Sequence, residues 1–551
     1  MYCILLIVQL CQATSYVEVF THLGPVRGEK VLAGSGTSYD QFRGLRYAKA
    51  PTKNLRFAAP VEPPKWVDLV DALEDGEICP QFDIGANQPI GDEDCLFLNV
   101  YTPSVKGDRP VAVFIHGGEF VTGGASLSYF GPEYLIEQKV LLVTIQYRLG
   151  ALGFLSTGDG SATGNWGLHD QILALEWVKK NIHAFGGNPN SVTLIGQGAG
   201  AASASLLATS VKAIGLFQRL ILMSGNALCD QYIQKEPKKA AIELGNRLEC
   251  EPHASDSLVR CLRNQPLEKL VKHAHSMYTF FSFPRWFVPT IDNLIVTESI
   301  DRTIEKGLFP NIPVMVGQTK DEGAFYYRLT LNAFGSGRYE DSFIDQHLPR
   351  ILLALTSFRK RLVPLTRAIR KRYFMNADLE DETQFRSKYV EVLTDLLYTR
   401  CTDNFVKLLT NKSHIVFRYV FNYMGQYSIA KLQTGKGSLG VAHGDDLQYL
   451  FNNVWSDEYS MSSDDVDFSK SIYVPLITNF LKYGVPTFKM TETVKVPWPP
   501  STPSKDIVLK INDPLEVKEN WKSGFIRFWT VEVPSLLSAK IKTSSKTKDE
   551  L

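Results

Sequence analysis

The stretch Val192-Thr193-Leu194-Ile195-Gly196-Gln197-Gly198-Ala199-Gly200-Ala201, which continues to Leu207, decides the fold of this chain. Residues 192–195 form a short, partly β-branched apolar run, which is typical of a buried strand. Residues 199–207 are rich in alanine and leucine, which favour a helix. The glycines between them allow a turn too sharp for most side chains. The stretch therefore predicts one strand-turn-helix unit of an α/β fold.

The same alternation extends outward from this unit. Apolar runs predict further strands at residues 111–115, 140–147, 219–223, 314–317 and 414–419, and residues 169–181 predict a helix. Strands that alternate with helices imply a large mixed sheet, mostly parallel, with helices on both faces. From about residue 235 onward helical and charged segments dominate. We therefore expect one domain over residues 16–535, with a helical elaboration in its C-terminal part.

The bulk composition excludes several classes of protein. The 551 residues are 44% hydrophobic and 21% charged, which is ordinary for a globular chain. The net charge of +1 gives no reason to expect nucleic acid as a partner. After the N-terminus, no segment has the ~18 or more uncharged apolar residues of a membrane span.

Both termini carry targeting signals. Residues 1–15 resemble a secretory signal peptide, because an apolar run at residues 4–10 precedes the cleavage-like Ala13-Thr14-Ser15. A buried first strand is the alternative interpretation of this segment. The polar tail, residues 536–551, ends in Lys548-Asp549-Glu550-Leu551, the retention address of the endoplasmic reticulum. Together they predict a protein of the lumen of the endoplasmic reticulum, with a KDEL-type retrieval receptor as a partner.

The cysteines agree with that oxidising compartment. Six remain after removal of the signal segment. Among them, Cys229 and Cys401 either pair with each other or stay buried and free. Asn411 begins the only N-glycosylation sequon, Asn411-Lys412-Ser413.

Six motifs occur in a fixed order, at residues 93–101, 116–120, 164–171, 185–189, 317–323 and 443–446. In this order they resemble the type-B carboxylesterase and cholinesterase-like α/β-hydrolases, and the resemblance runs from about residue 17 to residue 529. It implies that residues 196–200 are the family's G-x-S-x-G turn. It also implies the disulfides Cys79–Cys95 and Cys250–Cys261. The short loop between Cys79 and Cys95 lacks a tryptophan, which argues against a choline ester as ligand.

The resemblance also implies where the groups of a serine esterase would lie. His443 stands in the place of the catalytic base and Glu322 in that of the acid that orients it. The backbone N–H groups of Gly118, Glu119 and Ala199 would form the oxyanion hole.

The nucleophile position is occupied by Gly198, which has no side chain. Without a hydroxyl at this turn no acyl-enzyme can form there. Ser203 and Ser205 lie in the following helix, and Ser203 is about 7.5 Å further along its axis, so neither serine replaces the missing one. Glycine also relieves the backbone strain that such a turn carries.

Glu119 is the second departure from the family pattern. Its carboxylate would oppose the negative charge that develops in the oxyanion hole. Alternatively, Glu119 and His443 together could activate a water molecule for direct attack on an ester. The pair of Glu322 and His443 is retained either for such chemistry or because a buried charged pair is costly to break from one side.

Two other patterns have competing interpretations. Gly196, Gly198 and Ala201 also match a dinucleotide-binding fingerprint, but the next strand ends in Ser224-Gly225-Asn226, without the required acid. An aromatic set either lines an acyl pocket or is plain core: Phe280, Phe281, Phe283, Trp286, Phe287, Phe325 and Tyr326. His273 and His275 are not joined by a set of metal ligands, so no metal and no cofactor are predicted.

These observations predict a catalytically inactive relative of the carboxylesterases in the endoplasmic reticulum. It would act by binding a small apolar or ester-like molecule, or a protein. The alternative is an active carboxylic ester hydrolase that relies on residual chemistry or on water activated by His443 and Glu119.

Overall fold

The structure is a computed structural model that describes residues 15–538 except 252, 336–341, 429–438 and 453–460. Residues 1–14 of the predicted signal segment and the retention motif at residues 548–551 lie outside the described residues. The strands are β1 (Ser15–Phe20), β2 (Pro25–Leu32), β3 (Ser38–Arg46), β4 (Val70–Asp71), β5 (Gln81–Asp83), β6 (Gln88–Ile90), β7 (Phe97–Thr102), β8 (Arg109–Ile115), β9 (Leu141–Ile145), β10 (Gly187–Gln197), β11 (Arg219–Met223), β12 (Val314–Thr319), β13 (Val416–Phe421), β14 (Ile507–Ile511) and β15 (Glu516–Glu519).

One large mixed sheet organises the molecule. Its strands follow the order β1-β2-β3-β7-β9-β8-β10-β11-β12-β13-β14-β15, with β4 beside β2, while β5 and β6 form a separate hairpin. Every neighbouring pair from β9 to β14 is parallel. At the two ends of the strand order the pairs are antiparallel, whereas β4 pairs in parallel with β2. This architecture confirms the predicted α/β-hydrolase fold with its large, mostly parallel sheet.

Helices cover both faces of this sheet. They are α1 (Glu133–Glu137), α2 (Gly150–Phe154), α3 (Trp166–Asn181), α4 (Ala199–Thr209), α5 (Pro237–Arg247), α6 (Ser255–Arg263), α7 (Leu267–His275), α8 (Ile300–Glu305), α9 (Ala324–Phe334), α10 (Phe343–Leu355), α11 (Leu362–Ile369), α12 (Glu382–Thr394), α13 (Arg400–Asn411), α14 (Ser463–Phe468), α15 (Val474–Tyr483), α16 (Ser523–Arg527) and α17 (Val533–Ser538). Within the described residues, no helix combines the length and the apolar character that crossing a bilayer requires.

The central strands are buried on both sides, as expected of a covered parallel sheet. In β8, Val113 and Ile115 pack into one core, together with Leu175 of α3. Phe114 of the same strand points the other way and packs with Leu476 of α15. A third core joins α9 to α12 with the C-terminal helices, and it forms the predicted helical elaboration.

Three disulfides cross-link the fold. The structure contains the two expected bonds, Cys79–Cys95 and Cys250–Cys261. It also resolves the open question about the remaining cysteines, because Cys229 and Cys401 are bonded to each other. This third bond links the segment after β11 to α13, and the ion pair between Asp230 and Arg400 (2.7 Å) lies beside it. Asn411 is exposed at the C-terminal end of α13.

Candidate active site

A sharp turn between β10 and α4 forms the centre of the site. Gly198 at its tip has φ 56° and ψ −118°, a conformation that residues with a side chain rarely adopt. Its N–H donates to the carbonyl of Met223 (2.8 Å), and its carbonyl accepts from Ala202 (3.0 Å). A Cβ on Gly200 would collide with the backbone of Ile115, so α4 can approach the sheet this closely only with glycine there. The strained turn of a nucleophile elbow is thus present without a side chain at its tip.

Glu322 and His443 come together beside this turn. Glu322 follows β12, and its Oε2 lies 2.5 Å from Nδ1 of His443. Its other oxygen accepts the backbone N–H of Thr319 (2.8 Å), and the whole residue is buried. Burial lowers the pKa of His443, but the carboxylates of Glu322, Glu119 and Asp446 together outweigh it, so the net pKa is raised above the ordinary histidine value. The structure therefore brings the predicted acid and base into direct contact.

The second ring nitrogen of His443 is occupied by Gln197. The side-chain amide of Gln197 lies with Nε2 3.0 Å from Nε2 of His443. In this arrangement the amide donates, Nε2 of the imidazole accepts, and Nδ1 carries the proton toward Glu322. A serine hydroxyl would donate to the same nitrogen in an esterase. Gln197 therefore occupies the hydrogen-bonding position on His443 that a serine hydroxyl takes in a serine esterase.

The imidazole also crowds the place of the missing side chain. A Cβ built on Gly198 would lie 3.0 Å from Nε2 of His443 and 3.8 Å from the hydroxyl oxygen of Tyr232. A separation of 3.0 Å is shorter than ordinary van der Waals contact, so a side chain at residue 198 would require the histidine to shift by a few tenths of an ångström.

Glu119 lies in a tight turn of positive φ, with values of 102° at Gly118, 61° at Glu119 and 65° at Phe120. Its side chain is only 3% exposed. One carboxylate oxygen accepts a hydrogen bond from the hydroxyl of Tyr326 (2.8 Å). The other forms an ion pair with Arg285, without a hydrogen bond of normal geometry. In the described residues the carboxylate makes no hydrogen bond with His443. Its main interaction is the buried ion pair with Arg285.

Arg285 is held in place from several sides. Its guanidinium lies over the ring of Phe283, 3.6 Å from the ring centre, and it also contacts the hydroxyl of Ser282. The side chain of Arg285 is 7% exposed. A cation between an aromatic face and a carboxylate is electrostatically favourable, although desolvation of both charges opposes that gain.

Three buried tyrosines surround this ion pair. The hydroxyl groups of Tyr326 and Tyr398 lie 2.7 Å apart, and the ring centre of Tyr398 is 5.0 Å from that of His443. Burial raises the pKa of Tyr232, Tyr326 and Tyr398, and the charge of Glu119 raises each further. All three phenols are therefore neutral at physiological pH. Together with His443 they form an aromatic chamber around the ion pair of Glu119 and Arg285.

The other predicted site residues fall into two groups. The backbone N–H groups of Gly118, Glu119 and Ala199 make no hydrogen bond within the part of the chain that the structure describes, as oxyanion donors require. In contrast, Ser203 accepts from Gln171 (3.1 Å), and Ser205 donates to the carbonyl of Ala202 (2.8 Å). Both serine hydroxyls are thus engaged in contacts within the core.

The aromatic set divides between pocket and core. Phe325 lies edge-on to the imidazole of His443, with ring centres 5.9 Å apart, and Phe281 packs against Phe325 at 5.5 Å. Phe283 and Phe287 are fully buried core residues. The described residues contain no group of three potential metal ligands, and His275 instead stacks on Phe82.

The sequence analysis missed two important contacts. Gln197 was part of the turn motif but had no assigned partner, and Arg285 lay unremarked within the aromatic run. A charged residue within an apolar run is the signal that could have identified Arg285 as a partner for Glu119, because buried charges are paired.

Comparison with known proteins agrees with the fold. Residues 15–529 match the Carboxylesterase family. The chain is 33% identical over 513 residues to the juvenile hormone esterase of Tribolium castaneum, covering 87% of this chain and 86% of that protein. It is 32% identical over 497 residues to Esterase E4 of Myzus persicae, with 88% and 89% covered. For Carboxylesterase 4A of Bos taurus the identity is 30% over 475 residues, with 81% and 83% covered. The chain therefore belongs to the carboxylesterase family.

Proposed function

We propose that this chain is a catalytically inactive carboxylesterase-family protein that acts by binding a small apolar molecule or a protein. The observation that carries the proposal is the arrangement at Gly198. The elbow turn and the pair of Glu322 and His443 are in place, yet the imidazole nitrogen that would activate a serine is bonded to Gln197. Acyl transfer by this family's chemistry needs an oxygen at that point.

Glu119 supports the same proposal. Its buried carboxylate places a negative charge in the chamber where an oxyanion would have to form. Arg285 offsets part of this charge. The side chains of the ion pair also fill space near Glu322 and His443 that a substrate would need. Catalysis would thus meet two separate obstacles, at residues 198 and 119. Two obstacles support an inactive protein more strongly than a single altered residue would.

A fluorophosphonate probe tests the proposal, because it labels only an activated serine. We expect no labelling of the wild-type protein. Gly198→Ser should allow slow labelling, and adding Glu119→Gly with Arg285→Met should accelerate it, because the buried carboxylate no longer lies near the developing oxyanion. Gly215→Ser is a matched control, because Gly215 also has a positive φ (77°) but has no atom within 4 Å of its Cβ position.

The outcomes separate activity from inactivity. Labelling of the wild-type chain at any serine would contradict the proposal. Failure of Gly198→Ser to react, alone or with the two further changes, would mean that more than the nucleophile and Glu119 blocks the site. In that second outcome the wild-type protein is still inactive, but other residues must contribute to the loss of reactivity. Gln197 would be the first of them to test.

A second function is hydrolysis by a directly activated water. The unused N–H groups of Gly118, Glu119 and Ala199 favour it, since they remain available to an oxyanion. The contacts of Glu119 with Arg285 and Tyr326, and of His443 with Gln197, oppose it, because both bases are already engaged. Hydrolysis of an activated ester by the wild type that disappears in Glu119→Gln would establish this function instead.

We further propose that the protein resides in the lumen of the endoplasmic reticulum as a glycoprotein. The motif at residues 548–551, three disulfides and the exposed Asn411 support this location. Deletion of residues 548–551 should move the expressed protein from cell lysate to medium. Glycosidase treatment should increase its mobility on a gel, and Asn411→Gln should abolish that change. A truncated protein that stays in the cells would contradict retention by this motif.

A further inference from the structure

The tripeptide Arg-Lys-Arg occurs twice in the chain, at residues 359–361 and 370–372, and these two copies contain its only Lys-Arg pairs. Paired basic residues are the recognition sequence of one class of endoprotease, which cleaves the peptide bond after the second residue of the pair. By sequence both bonds are therefore candidates for processing. Their structural environments differ, however, and a protease cleaves only a segment that can open locally and become extended.

The first copy lies in the connection between α10 and α11. Helix α10 ends at Leu355 and α11 begins at Leu362, so residues 356–361 belong to no helix or strand. Lys360 is exposed and Arg361 is partly exposed. Exposed connections of this kind are preferred sites of proteolytic nicking.

The peptide bond between Arg361 and Leu362 is held by few contacts. It enters the first turn of α11, and the first backbone N–H groups of a helix have no partner within that helix. The N–H of Leu365 donates to the carbonyl of Arg361 (3.0 Å), whereas Pro364 has no N–H to donate. Leu362 is only partly buried, and Val363 is 54% exposed. Opening of this turn therefore disrupts few hydrogen bonds and little apolar packing.

Arg359, at the start of the first copy, makes contacts that opening would release. Its guanidinium donates to the backbone carbonyls of Thr356 (2.7 Å) and Phe358 (3.0 Å) at the end of α10. Hydrogen bonds near the protein surface exchange with water at a small net cost. These contacts therefore give the connection little protection.

The second copy lies within a continuous helical segment. Helix α11 passes directly into a π-helical turn at residues 370–374. The guanidinium of Arg372 lies over the ring of Phe525, 4.8 Å from the ring centre, and Arg370 pairs with Asp345 (2.7 Å). A protease could extend this segment only by breaking these contacts together with the helical hydrogen bonds.

Tyr373, which follows the second Lys-Arg pair, is anchored in the core. It is 5% exposed, its hydroxyl donates to Asp395 (2.9 Å), and the same hydroxyl accepts from the indole of Trp529 (2.6 Å). Cleavage after Arg372 would require this side chain to leave its site. Cleavage after Arg361 requires no fully buried side chain to move, so the structure strongly favours the first copy.

We propose that the connection between α10 and α11 is a processing site, where an endoprotease specific for paired basic residues hydrolyses the bond between Arg361 and Leu362. The oxygen of a water molecule bonds to the carbonyl carbon of Arg361 as the C–N bond breaks. The products are a carboxylate on Arg361 and an ammonium group on Leu362. This inference goes beyond the proposed function and does not depend on it, because it involves neither the dyad nor a bound ligand.

The cut would produce a two-chain protein joined by one disulfide. Cys229–Cys401 links the two pieces, whereas the two other disulfides lie entirely before residue 361. The parallel strands β12 and β13 also come from different pieces and remain paired in the sheet. Glu322 would then belong to one chain and His443 to the other. Because the core and this disulfide both span the cut, the fold should survive it.

Treatment of the folded protein with a kexin-type endoprotease tests the site. We expect N-terminal sequencing to find a new chain that begins at Leu362, formed at least about 100-fold faster than one that begins at Tyr373. On a denaturing gel the cleaved protein should remain one species without reductant and separate into two fragments after reduction. When Cys229 and Cys401 are both replaced with alanine, the fragments should separate without reductant.

Matched variants separate the effect of sequence from that of structure. Arg361→Asn should abolish the cut, and asparagine tolerates the positive φ of residue 361 (59°). Arg372→Asn is the control and should leave the cut after residue 361 unchanged. If circular dichroism shows that Arg361→Asn does not fold, Lys360→Gln disrupts the same pair at an exposed side chain. Peptides of residues 355–365 and 366–376 should be cleaved at similar rates, because neither is protected by the fold.

Each outcome supports or overturns the inference. Cleavage after Arg361 that disappears in Arg361→Asn or Lys360→Gln supports it. A folded wild type that is not cut there, or that is cut as fast after Arg372, would contradict it. Separation of the wild-type fragments without reductant would contradict the role of Cys229–Cys401. None of these results affects labelling by a fluorophosphonate, so the proposed function stands or falls separately.

Discussion

Glu119→Gln should destabilise the protein far more than a surface substitution of the same kind. Glu119 is 3% and Arg285 7% exposed at the side chain, so the change leaves a buried guanidinium without its counter-charge. Breaking one side of a buried ion pair typically costs ~3–5 kcal/mol. Glutamine keeps the oxygen that accepts from Tyr326, a hydrogen bond that contributes about 1 kcal/mol. We therefore expect a loss near the lower end, about 3 kcal/mol.

Scanning calorimetry measures this loss as a shift in Tm. At ~2.1 cal/mol/K per residue, the unfolding entropy of a chain of this size is roughly 1 kcal/mol/K. A loss of about 3 kcal/mol therefore lowers Tm by roughly 3 °C. Glu243→Gln is the matched control, because Glu243 pairs with Arg247 on the surface, where such pairs contribute ~0.5 kcal/mol or less.

A double variant decides whether the effect belongs to the pair. Arg285→Met alone leaves the Glu119 carboxylate buried without a cation and should also lower Tm. The combination of Glu119→Gln and Arg285→Met removes both charges and should restore Tm to within about 1 °C of the wild type, since apolar replacement of a whole buried pair is often neutral. If the two losses simply add, or if Glu119→Gln behaves like Glu243→Gln, the argument about this ion pair is wrong.

Three further changes test other parts of the site. Glu322→Gln should lower the pKa of His443, because burial lowers this pKa and Glu322 is the largest of the groups that raise it; imidazole NMR titration measures the change, and an unchanged pKa would contradict the electrostatic account. Asp446→Asn should flatten the pH dependence of stability. Burial, and next Glu322, raise the pKa of Asp446 to about 7 in the folded protein, above the value of 3.8 in the unfolded chain, so the wild type should lose stability as pH rises from about 4 to 7. Urea unfolding at several pH values measures this loss. Replacing Cys229 and Cys401 together with alanine should cost about 2–5 kcal/mol and lower Tm accordingly, whereas an unchanged Tm would mean that this bond stabilises little.

The sequence was sufficient for the fold because the central strands are continuous apolar runs. Residues 219–223 were predicted as a strand and form β11, and the run at residues 111–115 became the last five residues of β8. The glycines at the turn also indicated its sharp shape, since φ 56° with ψ −118° at residue 198 is a conformation that residues with a side chain rarely adopt. Local physical rules were enough for these elements.

The contacts within the site depended on non-local packing. Glu322 and His443 could be paired only through resemblance to a family, because no local pattern joins residues so far apart in the chain. The partnership of Glu119 with Arg285 requires the turn after β8 and the aromatic segment before residue 288 to meet in space. Sequence alone placed a carboxylate in the chamber but not the cation that holds it, so it overstated the repulsion an oxyanion would experience.

The geometry of the glycine turn has a consequence for reversibility. A serine at residue 198 would have to adopt φ 56° and ψ −118°, and backbone strain of this kind costs ~1–3 kcal/mol. Loss of glycine restricts the unfolded chain and returns only ~0.4–1 kcal/mol. Crowding against the imidazole adds to the deficit. A serine at residue 198 would therefore reduce the stability of the fold, so any hydroxyl gained at this turn would come at the expense of stability.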